Sequence, residues 1–372
     1  MTKLTLPLWN DWHMHARQGA DCVPEFLQAH KAMGCCGILA MPNTKPPVAR
    51  VDGEGPGQSI VEYRHHLIAN GADKFEHLFT PLWLSNITTP QMIEQGAKSG
   101  LLKSCKYYPP HATTGSHAHG ELTPMPFGHY VNNGVFRAME EHGIILNIHG
   151  EAHDLIDEDW FDEDDNAESR FYENMYEFVK DYGQLRIVFE HITTKVAVAF
   201  VESFDVGATI CPQHLLYTTG TLIRHMAVHL LCMPVVKFYD DRMALRHAVT
   251  DRNNTRFFAG TDSAPHFRGM KETPCGCAAG CFTGGIAPQL YAQAFEEAGC
   301  SLDAPENAKA FENFLVHNGN RFYGVETSKK TFTLERKDYT VQTLKTHGGE
   351  VVPLPVGMKR DVIPWSITHV DA

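Results

Sequence analysis

Residues 4–15 read LTLPLWNDWHMH, an apolar run that ends in an aspartate and two histidines one residue apart. Short apolar runs bounded by turn residues are typical of buried β-strands. Further runs of this kind follow along the chain, and longer amphipathic segments separate them. The eight runs are LTLPLWN (4–10), CCGILAM (35–41), HLFTPLWL (77–84), LLKSCKYY (101–108), IILNIH (144–149), RIVFEH (186–191), GATICP (207–212) and RFFAGT (256–261). Eight strands that alternate with helices predict an α/β fold of one type, the (β/α)8 TIM barrel.

The composition of the chain changes after Tyr323. Residues 330–344 alternate between apolar and polar side chains, and residues 353–365 are rich in turn formers. Barrels of this type routinely use about 250 residues or more as one domain. We therefore predict a barrel domain at 1–324 and a short C-terminal extension at 325–372 that packs on the barrel.

The charge of the chain limits the class of its partner. The sequence has 32 Lys and Arg against 44 Asp and Glu, a formal net charge of -12. Such a chain repels phosphate backbones and anionic membranes, so a small-molecule partner is favoured over nucleic acid or a membrane. The N-terminal residues show no basic segment followed by a long apolar run, and no window approaches roughly 18 uncharged apolar residues. We expect a cytoplasmic protein.

The ten cysteines do not indicate a disulfide scaffold. In a long chain without a secretory leader, they are expected to be reduced thiols. Residues 275–281, CGCAAGC, bring three thiols together, whereas a structural zinc ion takes four ligands. A turn of small residues is the favoured interpretation of this cluster, and a metal site is the alternative.

Polar side chains stand at the ends of several runs, where the active site of such a barrel lies. The candidate metal ligands are His13, His15, His149, His191 and Asp262. On one rim, these nitrogen and oxygen donors suit zinc or a similar divalent ion. For each histidine taken alone, a hydrogen-bonded core or surface residue is the favoured interpretation, and the metal site is favoured only by the set as a whole. The chain has 22 histidines, and we interpret its second His-x-His pair, His117 and His119, as a chance occurrence in a loop.

Lys106 lies near the end of an otherwise apolar run. An unpaired ammonium is costly to bury, so its pKa is expected to be depressed. A neutral lysine can react with carbon dioxide to give a carbamate, an anionic ligand able to bridge two metal ions. The alternative is a side chain whose ammonium reaches solvent at the strand end.

Three carboxylates adjoin candidate ligand histidines and could orient them through hydrogen bonds: Asp11, Glu151 and Glu190. Packing into the bottom of the barrel is an equal alternative for Asp11. Residues 157–168, DEDWFDEDDNAE, are interpreted as a solvated acidic loop rather than an ion site.

Seven motifs in fixed order make the chain resemble the dihydroorotases of the shorter bacterial type, in the amidohydrolase superfamily. They are DWHMHAR, AMPNTKPP, CKYYPPHATT, NIHGE, VFEHITT, CPQHL and GTDSAPH, spread from residue 11 to residue 266. The resemblance continues through KETPCGCAAGC and VHNGNRFYG and so covers most of the chain. The extra alanine in CGCAAGC and the hydrophilic stretch DEDWFDEDDNAES depart from the family pattern.

The resemblance implies a centre of two zinc ions. One ion would be held by His13, His15 and Asp262, and the other by His149 and His191. Carboxylated Lys106 would bridge them, and the two ions would share a hydroxide that attacks the ring amide. Two adjacent metal ions also lower the pKa of bound water on physical grounds. The resemblance further implies that Asp262 takes up the proton of the water and passes it to the leaving amide nitrogen.

The resemblance also assigns a substrate site. Arg17, Asn43 and His266 would hold the substrate carboxylate, for which a guanidinium is the natural partner. Thr113 and Thr114 would belong to a loop that closes over the substrate, although a plain solvent loop has the same sequence character. Met233 and Ala278 would make backbone contacts to the ring.

The implied activity is the reversible cyclisation of N-carbamoyl-L-aspartate to (S)-dihydroorotate in pyrimidine biosynthesis, by a homodimer. The nearest alternative is a related cyclic amidase of the hydantoinase, dihydropyrimidinase or allantoinase type, which would share the metal ligands. Arg17 discriminates between the two, because a neutral ring would leave its charge unpaired. A non-catalytic barrel relative or a zinc-storage protein is disfavoured, since all six ligand positions are filled and are scattered over five strands.

Overall fold

The computed structural model describes residues 2–19, 21–110, 119–152, 155 and 160–371. Within these ranges, the strands are β1 Lys3–Pro7, β2 Trp9–Met14, β3 Cys35–Ala40, β4 Val48–Arg50, β5 Gln58–Ser59, β6 His77–Phe79, β7 Leu82–Trp83, β8 Ser104–Tyr107, β9 Ile145–His149, β10 Ile187–Glu190, β11 Gly207–Ile210, β12 Phe257–Ala259, β13 Thr331–Thr340, β14 Leu344–Lys345, β15 Glu350–Val351 and β16 Val362–Val370.

Helices follow most of the barrel strands. They are α1 Val23–Ala32, α2 Ile60–Ala69, α3 Pro90–Ser99, α4 Phe127–Asn132, α5 Val135–Glu141, α6 Ala167–Glu173, α7 Met175–Asp181, α8 Lys195–Ser203, α9 Pro212–Leu216, α10 Thr219–His225, α11 Tyr239–Thr250, α12 Arg268–Lys271, α13 Ala287–Glu297, α14 Pro305–Glu312, α15 Asn318–Tyr323 and α16 Leu354–Gly357. Short 3-10 turns at Ala72–Lys74 and Val228–Leu230 and a π turn at Asn313–His317 complete the helical structure of the described residues.

Parallel strands form the barrel wall in chain order. β2, β3 and β6 pair in one segment, and β7 to β12 pair in the other. β6 and β7 occupy a single position in the wall, because Thr80 and Pro81 interrupt the run HLFTPLWL and proline has no N–H for the ladder. Backbone bonds from Asp262 to His13 (2.8 Å) and from His15 to Ser263 (3.0 Å) close the ring. The expected (β/α)8 barrel is confirmed.

The first apolar run behaves differently from the prediction. Residues 4–10 do not form one barrel strand, because the run divides at Leu8 between β1 and β2. β1 pairs antiparallel with β13, and β13 pairs with β16, so β1 lies at one edge of a separate three-stranded sheet. The burial of β1 is partial, as in a strand with one covered face, whereas every residue of β2 is buried.

The predicted C-terminal extension therefore includes an N-terminal strand in its sheet. β13 and β16 lie within residues 325–372, and β1 completes the same sheet from the other end of the chain. The boundary at residue 324 stays a prediction.

Aromatic side chains pack in the lower part of the barrel. Trp12 stacks on Tyr323 with ring centroids 4.1 Å apart and ring planes 3° from parallel. Phe79 and Phe258 pack against the same tyrosine. Gly319 allows this close approach of α15 to β2, because a Cβ at that position would overlap the Trp12 indole.

None of the helices described here is long and apolar enough to cross a membrane. All ten cysteines are free. Of the CGCAAGC cluster, Cys275 is exposed, Cys277 is half-buried and Cys281 is buried. Within the described ranges, the groups of side chains placed to hold a metal ion do not include these three thiols.

Candidate metal centre

The candidate ligands converge at the carboxyl end of the barrel. His13 and Lys106 lie within β2 and β8, and His149 is the last residue of β9. His191 directly follows β10, and Asp262 lies three residues beyond β12. All of these residues, together with His15, are buried. The parallel strands bring them together because their carboxyl ends share one rim.

Three of these side chains form a compact donor group. Nε2 of His15 lies 3.0 Å from Oδ1 of Asp262, and Nε2 of His13 lies 3.3 Å from the same oxygen. One ligand atom from each residue lies within 4.8 Å of the other two, so the three could hold one divalent ion. The arrangement brings together the ligands expected for one metal ion.

A second donor group lies beside the first and shares His13. It comprises His13, Glu190 and His191. The His149 ring packs at 4.8 Å from the His191 ring, and its Nε2 lies 2.6 Å from a carboxylate oxygen of Glu151. The expected pair His149 and His191 is thus adjacent, and Glu151 orients His149 as predicted. Their assignment as ligands of a second ion stays a prediction.

Lys106 is fully buried at the centre of the site. Its ammonium forms an ion pair with Glu190 and lies 4.6 Å from the centre of the Tyr108 ring. Burial lowers the pKa of Lys106, although the charge of Glu190 opposes this shift. The interpretation in which the lysine reaches solvent is wrong for this structure, because the strand end is covered.

The electrostatics of the histidines favour metal binding. Burial lowers the pKa of His149 and holds that of His191 well below its usual range, so both imidazoles are neutral as a metal ligand requires. The Nδ1 atoms of both rings are buried and have no hydrogen-bond partner among the described residues. Burial alone would raise the pKa of Asp262, but His13 and His15 hold it well below its usual range. These residues fit a metal site.

Backbone strain also concentrates at this rim. Arg17, His191 and Asp262 adopt φ angles of 64°, 45° and 46°. A left-handed conformation is uncommon for residues other than glycine and persists only where the surroundings enforce it. All three residues line the cavity at the barrel mouth.

A cavity opens directly above the candidate ligands. Beyond the histidines and Asp262, its walls include Arg17, Asn43, Tyr108, Met233, Ala279 and Gly280. Of the seven substrate residues implied by the resemblance, five lie within the described ranges, and three of these, Arg17, Asn43 and Met233, line this cavity. Ala278 neighbours two wall residues without lining it, and its carbonyl faces Lys271. Thr113 and Thr114, which the resemblance places in a closing loop, lie outside the described residues.

The Arg17 guanidinium lies beside His266. Nε of Arg17 donates to the carbonyl of Pro265 at 3.0 Å, and its terminal nitrogen lies 2.9 Å from Nε2 of His266. The same Nε2 lies 2.9 Å from the carbonyl of Ala279. His266 is half-buried. Arg17 and His266 also border a second, more apolar cavity, which shares His15, Arg17 and Asn43 with the first.

Asp11 has a structural role. Its carboxylate accepts hydrogen bonds from the backbone N–H of Thr261 at 2.9 Å and from the Thr261 hydroxyl at 2.6 Å. It also lies 3.3 Å from Nε2 of His30. Asp11 thus ties β2 to the segment after β12 and does not orient a candidate ligand side chain.

Sequence reasoning missed Tyr108 and Lys271 as residues of the site. Tyr108 was detectable, because it follows Lys106 by two positions and strand residues with this spacing share a face. Lys271 begins the KETPCGCAAGC segment but was not singled out, because a local pattern does not show which backbone carbonyls its ammonium contacts.

Several known proteins are similar to the chain. It is 37% identical over 374 residues to the dihydroorotase of Acaryochloris marina (strain MBIC 11017), with 99% of each chain covered. The structure of dihydroorotase from Saccharomyces cerevisiae in complex with 5-fluoroorotic acid superposes with a TM-score of 0.83 at 27% identity, covering 100% of this chain and 99% of that one. L-hydantoinase (dihydropyrimidinase) from Arthrobacter aurescens shares the fold, with a TM-score of 0.74 at 15% identity over 99% of this chain and 84% of its own.

No protein-family model matches the chain. The similarity to curated dihydroorotases nevertheless extends from end to end at more than a third of all positions. It includes the strands that carry the candidate ligands, because the alignment covers almost the whole of both chains. The chain belongs to the dihydroorotase family.

Proposed function

We propose that the protein is a dihydroorotase, which reversibly cyclises N-carbamoyl-L-aspartate to (S)-dihydroorotate in de novo pyrimidine biosynthesis. The observation that carries this proposal is the position of Arg17. Its guanidinium lines the same cavity as His13, His15 and Asp262. A ring that carries a carboxylate can place its amide at the metal ligands and its charge on this guanidinium.

We further propose two zinc ions per subunit. His13, His15 and Asp262 would hold one ion, His149 and His191 the other, and N6-carboxylated Lys106 would bridge them. When bound, two such ions supply Lewis-acid polarisation of the amide carbonyl and an activated water at neutral pH. The lowered pKa of Lys106 supports carboxylation, because only the neutral amine reacts with carbon dioxide.

Asp262 is the proposed proton carrier of the reaction. Its lowered pKa keeps the carboxylate ionised before the attack, so one of its oxygens can accept the proton of the attacking water. In ring opening, the same oxygen delivers this proton to the leaving amide nitrogen. In ring closure, the proton moves in the opposite direction. The left-handed backbone at Asp262 fixes the carboxylate at the floor of the cavity.

Arg17, Asn43 and His266 are the proposed carboxylate-binding residues. The Arg17 guanidinium offers parallel N–H donors to a planar carboxylate. Asn43 lines both cavities that meet at this guanidinium. Burial and the Arg17 charge lower the pKa of His266 to about 3, so its imidazole is neutral and can donate one hydrogen bond. Backbone groups near Met233 and Ala278 would contact the ring amide, and Thr113 and Thr114 would close over it.

The proposed activity is tested by ring opening of dihydroorotate. The purified protein is assayed as isolated, after a chelator, and after zinc and bicarbonate are restored. We expect turnover that disappears with the chelator and returns with zinc, because the ligands hold the activating ions. If the protein binds about two zinc ions per chain but does not turn over dihydroorotate, the proposed substrate is wrong and the proposed metal centre stands.

A neutral cyclic amide is the second candidate substrate. The fold is shared with a hydantoinase, so the barrel alone does not decide between these substrates. Substitution Arg17→Met should lower kcat/KM for dihydroorotate by about 100-fold or more, since the bound carboxylate would lose its charged partner. The zinc content should not change. Normal dihydroorotate turnover in this variant would contradict the carboxylate assignment.

Two further predictions concern the protein as a whole. We expect a homodimer, which sedimentation velocity of the zinc-loaded protein would detect as a species of twice the 41.6 kDa chain mass. We also expect it to reside in the cytoplasm.

A further inference from the structure

Lys271 is a buried lysine that contacts backbone carbonyls. Its side chain ends α12 and is only 3% exposed. The ammonium donates to the carbonyls of Leu231 at 3.1 Å, Ala278 at 2.7 Å and Gly280 at 2.9 Å. No carboxylate among the described residues forms an ion pair with it. Its hydrogen bonds are satisfied, but its charge is not neutralised.

The three carbonyls belong to two loops that wall the candidate substrate cavity. Met233 follows Leu231 and lines the cavity, and Gly280 lines it from the other loop. The N–H of Gly280 also donates to the carbonyl of Leu231 at 2.9 Å. Lys271 therefore joins both loops at one point, directly behind the surface that faces the ligand.

A path of contacts leads from Lys271 to the proposed carboxylate-binding residues. Ala279 lies between two of the residues whose carbonyls the ammonium binds. The carbonyl of Ala279 lies 2.9 Å from Nε2 of His266, and this nitrogen lies 2.9 Å from the Arg17 guanidinium. A shift of the 278–280 backbone would therefore displace His266 and change the geometry around Arg17.

The charge of Lys271 is also relevant to an anionic ligand. A buried ammonium is costly, and hydrogen bonds to neutral carbonyls only partly offset this cost. Both burial and the charge of Arg17 lower the pKa of Lys271. The charges of Lys271 and Arg17 repel each other, and a bound carboxylate relieves this repulsion.

Building on the proposed function, we propose that Lys271 is a positioning residue for the substrate carboxylate. It fixes the 231–233 and 278–280 loops and adds a second positive charge behind Arg17 and His266. The site thereby selects a carboxylated ring over a neutral ring of the same shape. Lys271 does not contact the reacting atoms.

The test uses three substitutions and a pair of matched inhibitors. Lys271→Met removes donors and charge, Lys271→Gln removes the charge but keeps N–H donors, and Lys271→Arg keeps the charge. Inhibition constants are measured for orotate and for its uncharged methyl ester, together with kcat and KM for dihydroorotate and the zinc content. Lys31→Met is the control, because the Lys31 ammonium likewise donates to a backbone carbonyl, that of Lys74 at 2.7 Å, but lies on α1.

We expect Lys271→Met to weaken the binding of orotate by about 10-fold or more and that of the methyl ester by less than about 3-fold. Hydrogen bonds that involve charged groups contribute more binding free energy than those between neutral groups. KM for dihydroorotate should rise more than kcat falls, and the zinc content should stay constant. Lys271→Arg should keep the preference for orotate over the ester. Lys271→Gln should lose this preference, and Lys31→Met should change neither of the two inhibition constants.

Equal losses for orotate and its ester in Lys271→Met would overturn the selectivity role. Failure of all three variants to fold would also overturn the proposal and leave a purely structural lysine. If Lys271→Met alone does not fold, the comparison of Lys271→Gln with Lys271→Arg decides. The unsubstituted protein tests the proposed function separately: if it does not turn over dihydroorotate, that function fails whatever the variants do.

Discussion

Oε1 of Glu190 lies 3.1 Å from Nδ1 of His13, at the centre of the candidate metal site. The other oxygen of the same carboxylate pairs with the Lys106 ammonium. Asn147 donates from Nδ2 to Oε1 at 3.1 Å. Glu190 thus orients two candidate ligands that come from different strands, and its own position depends on a third strand.

Substitution Glu190→Gln tests this relationship. The amide keeps the shape of the side chain but loses the charge that holds the His13 imidazole. We expect zinc affinity to fall by about 10- to 100-fold, the usual cost of losing a partner that orients a ligand. Competition with a coloured chelator measures it. Glu202→Gln, on the exposed surface of α8, is the control, and unchanged affinity in Glu190→Gln would show that the ligands are positioned without this carboxylate.

The phenol of Tyr323 supports the same network from below. Its oxygen accepts a hydrogen bond from Nδ2 of Asn147 at 2.6 Å, and Asn147 in turn contacts Glu190. Tyr323→Phe removes the acceptor and should lower the free energy of unfolding by about 1–2 kcal/mol, while the stacking on Trp12 remains. Urea unfolding of the zinc-loaded protein measures this change. Tyr339→Phe, on a 40% exposed tyrosine of β13, should have almost no effect, and equal effects of both variants would count against the network.

The sequence predicts the barrel and the convergence of its ligands for one physical reason. Buried parallel strands read as apolar runs, and the carboxyl ends of such strands meet at one rim. His149 and His191 therefore come together although the sequence separates them. The same logic finds Tyr108 once Lys106 is placed on the inner face of β8.

The pairing of β1 could not be predicted in this way. Residues 3–7 are as apolar as a barrel strand, and their partners are Thr331–Glu335, at the other end of the chain. Long-range pairing depends on which surface remains to be covered, and a local pattern does not contain this information. The sequence predicts that Glu190 orients a candidate ligand, but it does not predict which one. Glu190 adjoins His191 in sequence, yet neighbouring residues of a strand point in different directions, and Glu190 contacts His13 instead.

Glu168 gives the protein a pH-dependent stability. Burial raises the pKa of this carboxyl from 4.5 to about 7, although Lys237 and Thr193 favour the charged form. Between pH 4.5 and about pH 7, Glu168 keeps its proton in the folded chain but has released it in the unfolded chain. Stability therefore falls as the pH rises from about 4.5 to about 7, and this contribution is constant above that range.

The variant Glu168→Gln should remove this dependence. A pKa shift of this size corresponds to about 3 kcal/mol. Between pH 5 and pH 8, the free energy of unfolding of the variant should therefore rise by roughly that much relative to that of the parent. Urea unfolding of both zinc-loaded proteins across this range measures the difference. Glu163→Gln, at an exposed position of the acidic loop, should track the parent at every pH. Parallel profiles for Glu168→Gln and the parent would contradict the raised pKa.

Gly319 tests the close approach of α15 to β2. Its backbone φ does not require glycine, but a Cβ would overlap the Trp12 indole, which is sandwiched against Tyr323. Because the stacked rings have no room to move apart, Gly319→Ala should cost about 3 kcal/mol of unfolding free energy, at the upper end of overpacking effects. Gly128→Ala is the matched control, since Gly128 also lies in a helix and nothing lies within 4 Å of its Cβ position. Alanine at position 128 should stabilise the protein by about 0.5–1 kcal/mol, because it lowers the conformational entropy of the unfolded chain. Thermal and urea unfolding of both variants measure these changes, and a neutral Gly319→Ala would mean that the Trp12 and Tyr323 pair can shift without cost.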